Sequence, residues 1–168
     1  MVIKEIINRR SVRNYKKREV SDKDLLEIIK AAQFAPTSHD NRGVEFVIVR
    51  DQKTKNKIYE IAGQDFMKKA PALVVPIIDT QKTMWPVQDL SVASSHIFLQ
   101  AEALGLGTVW KNINEKIREP IMELLGIPKD YILVNIIPVG YPNIKKRPHT
   151  DQDFSEKKIH YARYGVGK

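Results

Sequence analysis

The chain contains no cysteine. That absence removes disulfides, thiol nucleophiles, iron–sulfur clusters and thiolate-ligated zinc, and it fits a cytoplasmic location. No uninterrupted apolar run reaches the roughly 20 residues of a membrane helix, so no membrane association is expected. The N-terminal Met1-Val2-Ile3-Lys4-Glu5-Ile6-Ile7 is too short and too soon charged for a signal peptide. His39, His96, His149 and His160 show no paired spacing such as His-x-x-x-His, so no metal site is expected. Internal repeats and low-complexity tracts are also missing. Acidic residues are in deficit, 20 Asp+Glu against 28 Lys+Arg, and the formal net charge of +8 favours anionic partners: nucleic acid, phosphorylated cofactors or acidic surfaces. No zinc spacing, RNA-binding aromatic pattern or helix-turn-helix signature accompanies the charge, which leaves a nucleic-acid-binding module as the weaker alternative.

What is present suits one core: 168 residues, 42% hydrophobic and 29% charged, are read as a single domain over 1–168. Ile3, Ile6 and Ile7 lie at helical spacing in a short helix ending near Arg9-Arg10. Ser21 caps a second helix whose face is Leu25, Leu26, Ile28, Ile29 and Ala32, ending before Pro36. Residues 45–50 alternate as a strand, 53–62 read as a surface helix, and 72–78 form the continuous apolar run of a strand covered on both faces. Pro86 opens the longest helix, with Leu90, Ala93, Ile97, Ala101 and Leu104 on one side. Gly105-Leu106-Gly107 ends it, Thr108-Val109-Trp110 resumes as a strand, 117–125 is a further helix, and 131–139 is one last strong strand. Beyond Pro142 the composition turns basic and polar, and such a tail is expected to reach across to a second subunit.

Four stretches carry candidate chemistry. Arg9-Arg10-Ser11-Val12-Arg13 offers three guanidinium groups and a hydroxyl, a set that suits phosphate oxygens; a solvated basic helix end is an equal reading on composition alone. The polar loop from Ala35 through Pro36, Thr37, Ser38, His39, Asp40, Asn41 and Arg42 to Gly43 can supply donors and acceptors, or can simply connect helix to strand. Gly105-Leu106-Gly107 permits close backbone approach, but it lacks the third glycine and the following helix of a dinucleotide fingerprint. Lys145-Lys146-Arg147 can join the N-terminal arginines on one phosphate, although a basic run near a chain end is more often solvated surface.

Taken in order, these stretches resemble the FMN-dependent nitroreductase family. The resemblance covers nearly all of the chain: Arg-Arg-Ser-x-Arg followed by Tyr15, Ala-Pro-Thr-Ser-His before Glu45-Phe46-Val47-Ile48-Val49, the long helix leading to Leu104-Gly105-Leu106-Gly107-Thr108-x-Trp110, and Gly126-Ile127-Pro128 before a strand closing on Val139-Gly140-Tyr141-Pro142. It implies an α+β fold with a central mixed, mostly antiparallel sheet flanked by helices, and a C-terminal segment exchanged between the subunits of a homodimer. It implies FMN as cofactor, with Arg9, Arg10, Ser11 and Arg13 on the phosphate and ribityl chain and Arg147 and Lys145 closing from the C-terminal side. Pro36, Thr37, Ser38, His39 and Arg42 would run beside the ring from the other subunit. Val109, Trp110, Lys111 and Asn112 would pass along the flavin edge, where a backbone N–H meets the ring.

The implied activity is NAD(P)H-driven, ping-pong reduction of nitroaromatics, quinones or a similar small acceptor, with NADH or NADPH as donor. The flavin carries that chemistry, so no catalytic side chain is required. The alternative of the same fold is an FMN-binding sensor or storage protein without efficient turnover. Two departures from the family pattern stand out: Arg42-Gly43-Val44 where Gln-Pro-Trp is frequent, and Lys111-Asn112-Ile113 where glycine or an acidic residue is frequent. The first places a cation near the ring and is expected to favour the anionic reduced flavin. His96 is expected to be a satisfied core or interface histidine.

Overall fold

In the computed structural model, which describes residues 1–167, strand β2 (Ala72–Asp79) is buried over residues 72–78. Its side chains alternate between two separate cores. Leu73, Val75 and Ile77 enter one, beneath α3 (Gln52–Ala62), α4 (Phe66–Lys69) and α6 (Glu115–Leu125). Ala72, Val74 and Ile78 enter the other, beneath α2 (Asp22–Gln33) and α5 (Pro86–Ala103). The continuous apolar run at 72–78 is therefore the signature of a strand with helices on both faces. Short α1 (Lys4–Asn8) packs on α5.

Around β2 the sheet adds β1 (Val44–Val49), β3 (Gly107–Thr108), β4 (Lys111–Asn112), β5 (Tyr131–Ile132) and β6 (Asn135–Gly140). The order is β1-β2-β6-β3, with β4 paired to β6 and β5 to β2. Every strand pair is antiparallel; the mixed character comes from a parallel bridge between Ser11 and Thr108.

The helices follow local chemistry. The Ser21 hydroxyl accepts the Asp24 N–H at 3.0 Å and starts α2, which buries Leu25, Ile28 and Ala32. Pro86 opens α5, and Leu90, Ala93, Ser94, Ile97 and Ala101 line its buried side. Leu90 and Ile97 are fully buried, each contributing about 2 kcal/mol of apolar burial. Gly126, at φ 65°, ends α6 in the left-handed region.

Two expected strands are divided. In place of a strand over 108–110, β3 stops at Thr108 and β4 begins at Lys111, although both keep one register on β6. That register sets Val109 opposite Pro138, which has no N–H to offer the ladder. In place of one strand over 131–139, β5 and β6 pair with β2 in registers that differ by one residue. The extra residue falls within 133–136, which face Val75, Pro76 and Ile77 of β2, as a bulge. Helix α4 was not expected, and α6 begins two residues earlier than its apolar spacing indicates.

The C-terminal residues form only short 3-10 turns, Asp151–Asp153 and Glu156–Lys158, and leave Phe154, Tyr161, Tyr164 and Val166 exposed. Among the described residues, no helix is long and apolar enough to cross a membrane.

Candidate functional site

The two basic ends of the chain lie side by side. After α1 the backbone turns extended at Arg9, and Val12 N–H donates to the Thr108 carbonyl at 2.9 Å. Extended geometry alternates side chains, so Val12 is buried while Ser11 and Arg13 face outward. Two further backbone bonds fasten the C-terminal segment to this strip: Asn143 N–H to the Asn14 carbonyl and His149 N–H to the Ile7 carbonyl, both 2.9 Å. Lys145 and Arg147 lie between those clamps. The Arg10 guanidinium sits 3.4 Å from both ring nitrogens of His149.

The intervening Lys146 is paired with Glu102 of α5. Among the described residues, no carboxylate comes within ion-pairing distance of Arg9, Arg10, Arg13, Lys145 or Arg147. Five cations with no paired anion, beside the exposed Ser11 hydroxyl, form a donor set that fits a phosphate monoester. The Thr150 N–H and then the His149 ring hold the Asp153 carboxyl below the usual carboxylate range, and the charge of Arg10 acts in the same direction.

Beneath this cradle the packing is tight. A Cβ at Gly107 would fall 2.6 Å from Val12, and one at Gly140 would fall 2.5 Å from Pro71 and 2.9 Å from Tyr15. The buried Tyr15 phenol donates to the Val12 carbonyl at 2.6 Å and reaches the Pro138 carbonyl at 3.4 Å. Burial pushes its pKa up, partly opposed by the charge of Arg13. Tyr15 thus links the cradle strip to β6, a role that its place after Arg13 did not disclose.

The loop at 36–42 has an unusual backbone. His39, Asp40 and Arg42 hold φ of 51°, 52° and 49°, the left-handed region that L side chains rarely adopt. Local bonds shape it: Arg42 N–H to Thr37 Oγ1 at 3.0 Å, Asn41 Nδ2 to the Ser38 carbonyl at 2.8 Å, and Gly43 N–H to Asn41 Oδ1 at 2.7 Å. Ser38 Oγ lies 3.1 Å from His39 Nδ1. Arg42 is a forked partner of Asp40, at 2.9 and 2.8 Å. Each holds the other charged: the Arg42 hydrogen bonds keep the Asp40 carboxyl below its ordinary range, and Asp40 raises the guanidinium.

From below, Asp89 carries this loop. The residue is 3% exposed, and its carboxylate accepts Ser38 N–H at 2.8 Å, Asn41 Nδ2 at 3.0 Å and Thr83 Oγ1 at 2.7 Å. Burial alone would raise its pKa; the Asn41, Thr83 and Ser38 hydrogen bonds outweigh that and hold it below the usual value. Asp89 was missed in the sequence, although a signal existed: it stands four residues before Ala93, in the row that continues through Ile97 and Ala101.

Residues 109–112 follow β3, the sheet edge that the cradle strip meets at the Ser11–Thr108 bridge. Val109 is buried in the core, so only its backbone is available to a ligand. Trp110 meets Phe98 edge to face at 6.3 Å and is half-buried with Lys111, whereas Asn112 is exposed. His96 Nδ1 lies 3.0 Å from the Ala31 carbonyl, tying α5 to α2. The loop at 36–42 borders a cleft of about 700 Å³ with Ala32, Phe34 and Val44, and none of the cradle residues lines it. Within one chain, then, the arginine and lysine segments converge and the loop stands apart from them.

A two-faced α+β sandwich built on this antiparallel sheet, with a cationic strip at one sheet edge, defines the nitroreductase class of fold. The Nitroreductase family model matches residues 6–66 and 62–141, and the chain belongs to that family. An Archaeoglobus fulgidus protein provisionally named NADH dehydrogenase/NAD(P)H nitroreductase is 34% identical, over 96% of this chain and 98% of its own. The FMN reductase [NAD(P)H] of Bacillus subtilis is 28% identical, over 90% of this chain and 71% of its own. The solved FMN-dependent nitroreductase of Clostridium difficile R20291 superposes with a TM-score of 0.91 at 34% identity, covering 95% of this chain and 98% of that one.

Proposed function

We propose that this chain is an FMN-dependent oxidoreductase of one cofactor-binding domain, which takes reducing equivalents from NADH or NADPH and delivers them to a small acceptor such as a nitroaromatic or a quinone. The observation that carries the reading is the cradle: Arg9, Arg10, Ser11 and Arg13 brought against Lys145 and Arg147 by two backbone bonds, with no carboxylate among the described residues pairing any of the five cations. That donor set suits the phosphate of FMN. When bound, the flavin supplies the redox chemistry.

The protein's own residues bind and orient. The cradle holds the phosphate, Ser11 adds a directional hydroxyl, and the backbone of 109–112 offers N–H groups along a ligand edge. Pro36, Thr37, Asp40 and Arg42 border the cleft in which a donor and an acceptor would dock in turn, and Ser38 and His39 belong to the same loop. That cleft shares no lining residue with the cradle of its own chain, which supports a homodimer with each site assembled from two chains. Ile3, Ile6, Leu26, Phe34, Trp85 and Val87 are exposed on or beside α1, α2 and α5, apolar surface that a partner subunit would cover. The exposed aromatic residues of the C-terminal segment suit exchange onto that partner in the same way.

Flavin fluorescence titration of the purified, flavin-stripped protein tests the reading. Uptake of FMN, with Arg9→Ala and Arg147→Ala each weakening it about tenfold or more through loss of a charged phosphate contact, is the expected result. A colourless preparation that takes up no FMN sinks it. NAD(P)H oxidation against a panel of nitroaromatics and quinones then separates an enzyme from a flavin store.

A further inference from the structure

We infer that Asp89 is a positioning residue, which sets the ring-side loop at the flavin and so governs docking of the nicotinamide donor and the acceptor; this rests on the FMN reading above. The loop's other polar contacts, Arg42 to Thr37, Asn41 to Ser38, Gly43 to Asn41 and Arg42 to Asp40, all run within residues 37–43. They give the loop its shape without attaching it to anything. Among the described residues, the hydrogen bonds that tie it to another element are those from Ser38 N–H and Asn41 Nδ2 to Asp89.

The need for an anchor follows from the backbone. Three residues of one loop that are not glycine, His39, Asp40 and Arg42, sit in the left-handed region, and such conformations persist only where the surroundings over-determine them. Asp89 meets that need from the first turn of α5, the longest helix, whose Leu90, Ala93 and Ile97 are fully buried. A carboxylate suits the position because every group facing it donates: one backbone N–H, one amide N–H and one hydroxyl. The same carboxylate takes in the turn before α5, since Thr83 Oγ1 also accepts the Trp85 N–H at 3.0 Å. Being almost wholly buried, Asp89 does not touch a substrate. It acts through Ser38 and Asn41.

The test uses full-length Asp89→Asn, whose amide would turn a donor toward other donors. Three measurements are made: amide hydrogen exchange at Ser38 in flavin-free protein, FMN affinity, and steady-state kinetics. Exchange at Ser38 should rise about tenfold or more, the scale of losing a hydrogen bond to a charged acceptor. FMN affinity should stay within about threefold, because the phosphate cradle lies elsewhere, while KM for donor and acceptor rises about fivefold or more with kcat little changed, the mark of lost docking. The exchanged pair Asn41→Asp with Asp89→Asn restores one amide–carboxylate contact and should recover part of the KM.

Unchanged exchange at Ser38, or unchanged KM, overturns the inference. So does a parallel loss of kcat, FMN affinity and thermal stability that the exchanged pair does not relieve, since that is a merely structural role. If Asp89→Asn does not fold, Asn41→Ala cuts one of the two attachments and must raise KM on a smaller scale; no rise is equally fatal. Should the wild type take up no FMN, the functional reading and the docking role fall together, and exchange at Ser38 still decides whether Asp89 anchors the loop.

Discussion

Val12 occupies the space that a side chain at Gly107 would need: a Cβ there would lie 2.6, 2.7 and 2.9 Å from three Val12 carbons. The contact sits at the parallel bridge joining Ser11 to Thr108, so the cradle strip and the edge of the sheet approach as closely as backbone allows. Gly107→Ala should push the strip off the edge, costing about 1–3 kcal/mol as overpacking does and lowering Tm by roughly 3–8 °C. Because Ser11 and Arg13 ride on that strip, FMN affinity should fall more than the stability loss alone explains. Calorimetry beside a flavin titration checks both, and a Gly107→Ala protein with wild-type affinity would show that the close approach does not set the cradle.

Tyr15 supports the same strip from inside, and its ionisation gives the support a pH dependence. Burial raises the phenol in the folded state above its ordinary value near 10. The contribution is therefore fully present below about pH 10 and is lost as pH rises toward the folded-state value. Tyr15→Phe removes the donor to the Val12 carbonyl and should cost about 1 kcal/mol, or roughly 2–4 °C in Tm, at neutral pH. The stability difference between wild type and Tyr15→Phe should stay level from neutrality to about pH 10 and narrow above it. Chemical denaturation across that range is the measurement, and a gap that widens with alkalinity would contradict the assignment.

Much of this architecture can be read from periodicity. Leu25, Ile28 and Ala32 mark α2, Leu90, Ala93, Ile97 and Ala101 mark α5, and the unbroken run of β2 announces helices on both faces, because each pattern reports which sides of one element are buried. Features that depend on what lies across the fold stay hidden. Nothing near Val109 foretells that Pro138 will stand opposite and interrupt the ladder, and nothing near Leu133 foretells the one-residue shift against β2. The cradle was legible as two basic runs, but their meeting depends on backbone bonds from Asn143 and His149. The row through Ala93, Ile97 and Ala101 marks Asp89 as buried, but its loop partners Ser38 and Asn41 are 51 and 48 residues away, so its task is not legible locally.

Arg42 was expected to act as a ring-side cation, and its pairing with Asp40 changes what substitution should do. Both side chains are exposed, and the forked contact makes the loop tip close to neutral. Removing the cation by Arg42→Gln exposes the carboxylate and should lower the flavin midpoint potential. Asp40→Asn leaves the guanidinium unpaired and should raise it, since an unbalanced positive charge favours the reduced, anionic flavin. Potentiometric titration of the two variants checks for opposite shifts. If both leave the potential unchanged, the Arg42–Asp40 pair lies too far from the ring to matter.

The separation of cradle and loop within one chain leads to a prediction about concentration. Phe34, 71% exposed at the end of α2, borders the loop cleft. Trp85, 52% exposed, lies on the turn that Thr83 and Asp89 hold. Aromatic surface of this size beside a binding cleft is stabilised by cover, and in a two-chain site the cover and the missing half of the cofactor site arrive together. FMN occupancy should then fall on dilution in step with dissociation of the dimer, followed by sedimentation velocity with flavin absorbance. Phe34→Asp should move both transitions to about tenfold higher concentration or more, since it exchanges an aromatic contact for a charge that the interface would have to desolvate. The two transitions must move together. A monomer that keeps its full complement of flavin would mean that one chain completes the site alone, and the loop at 36–42 would then need another role.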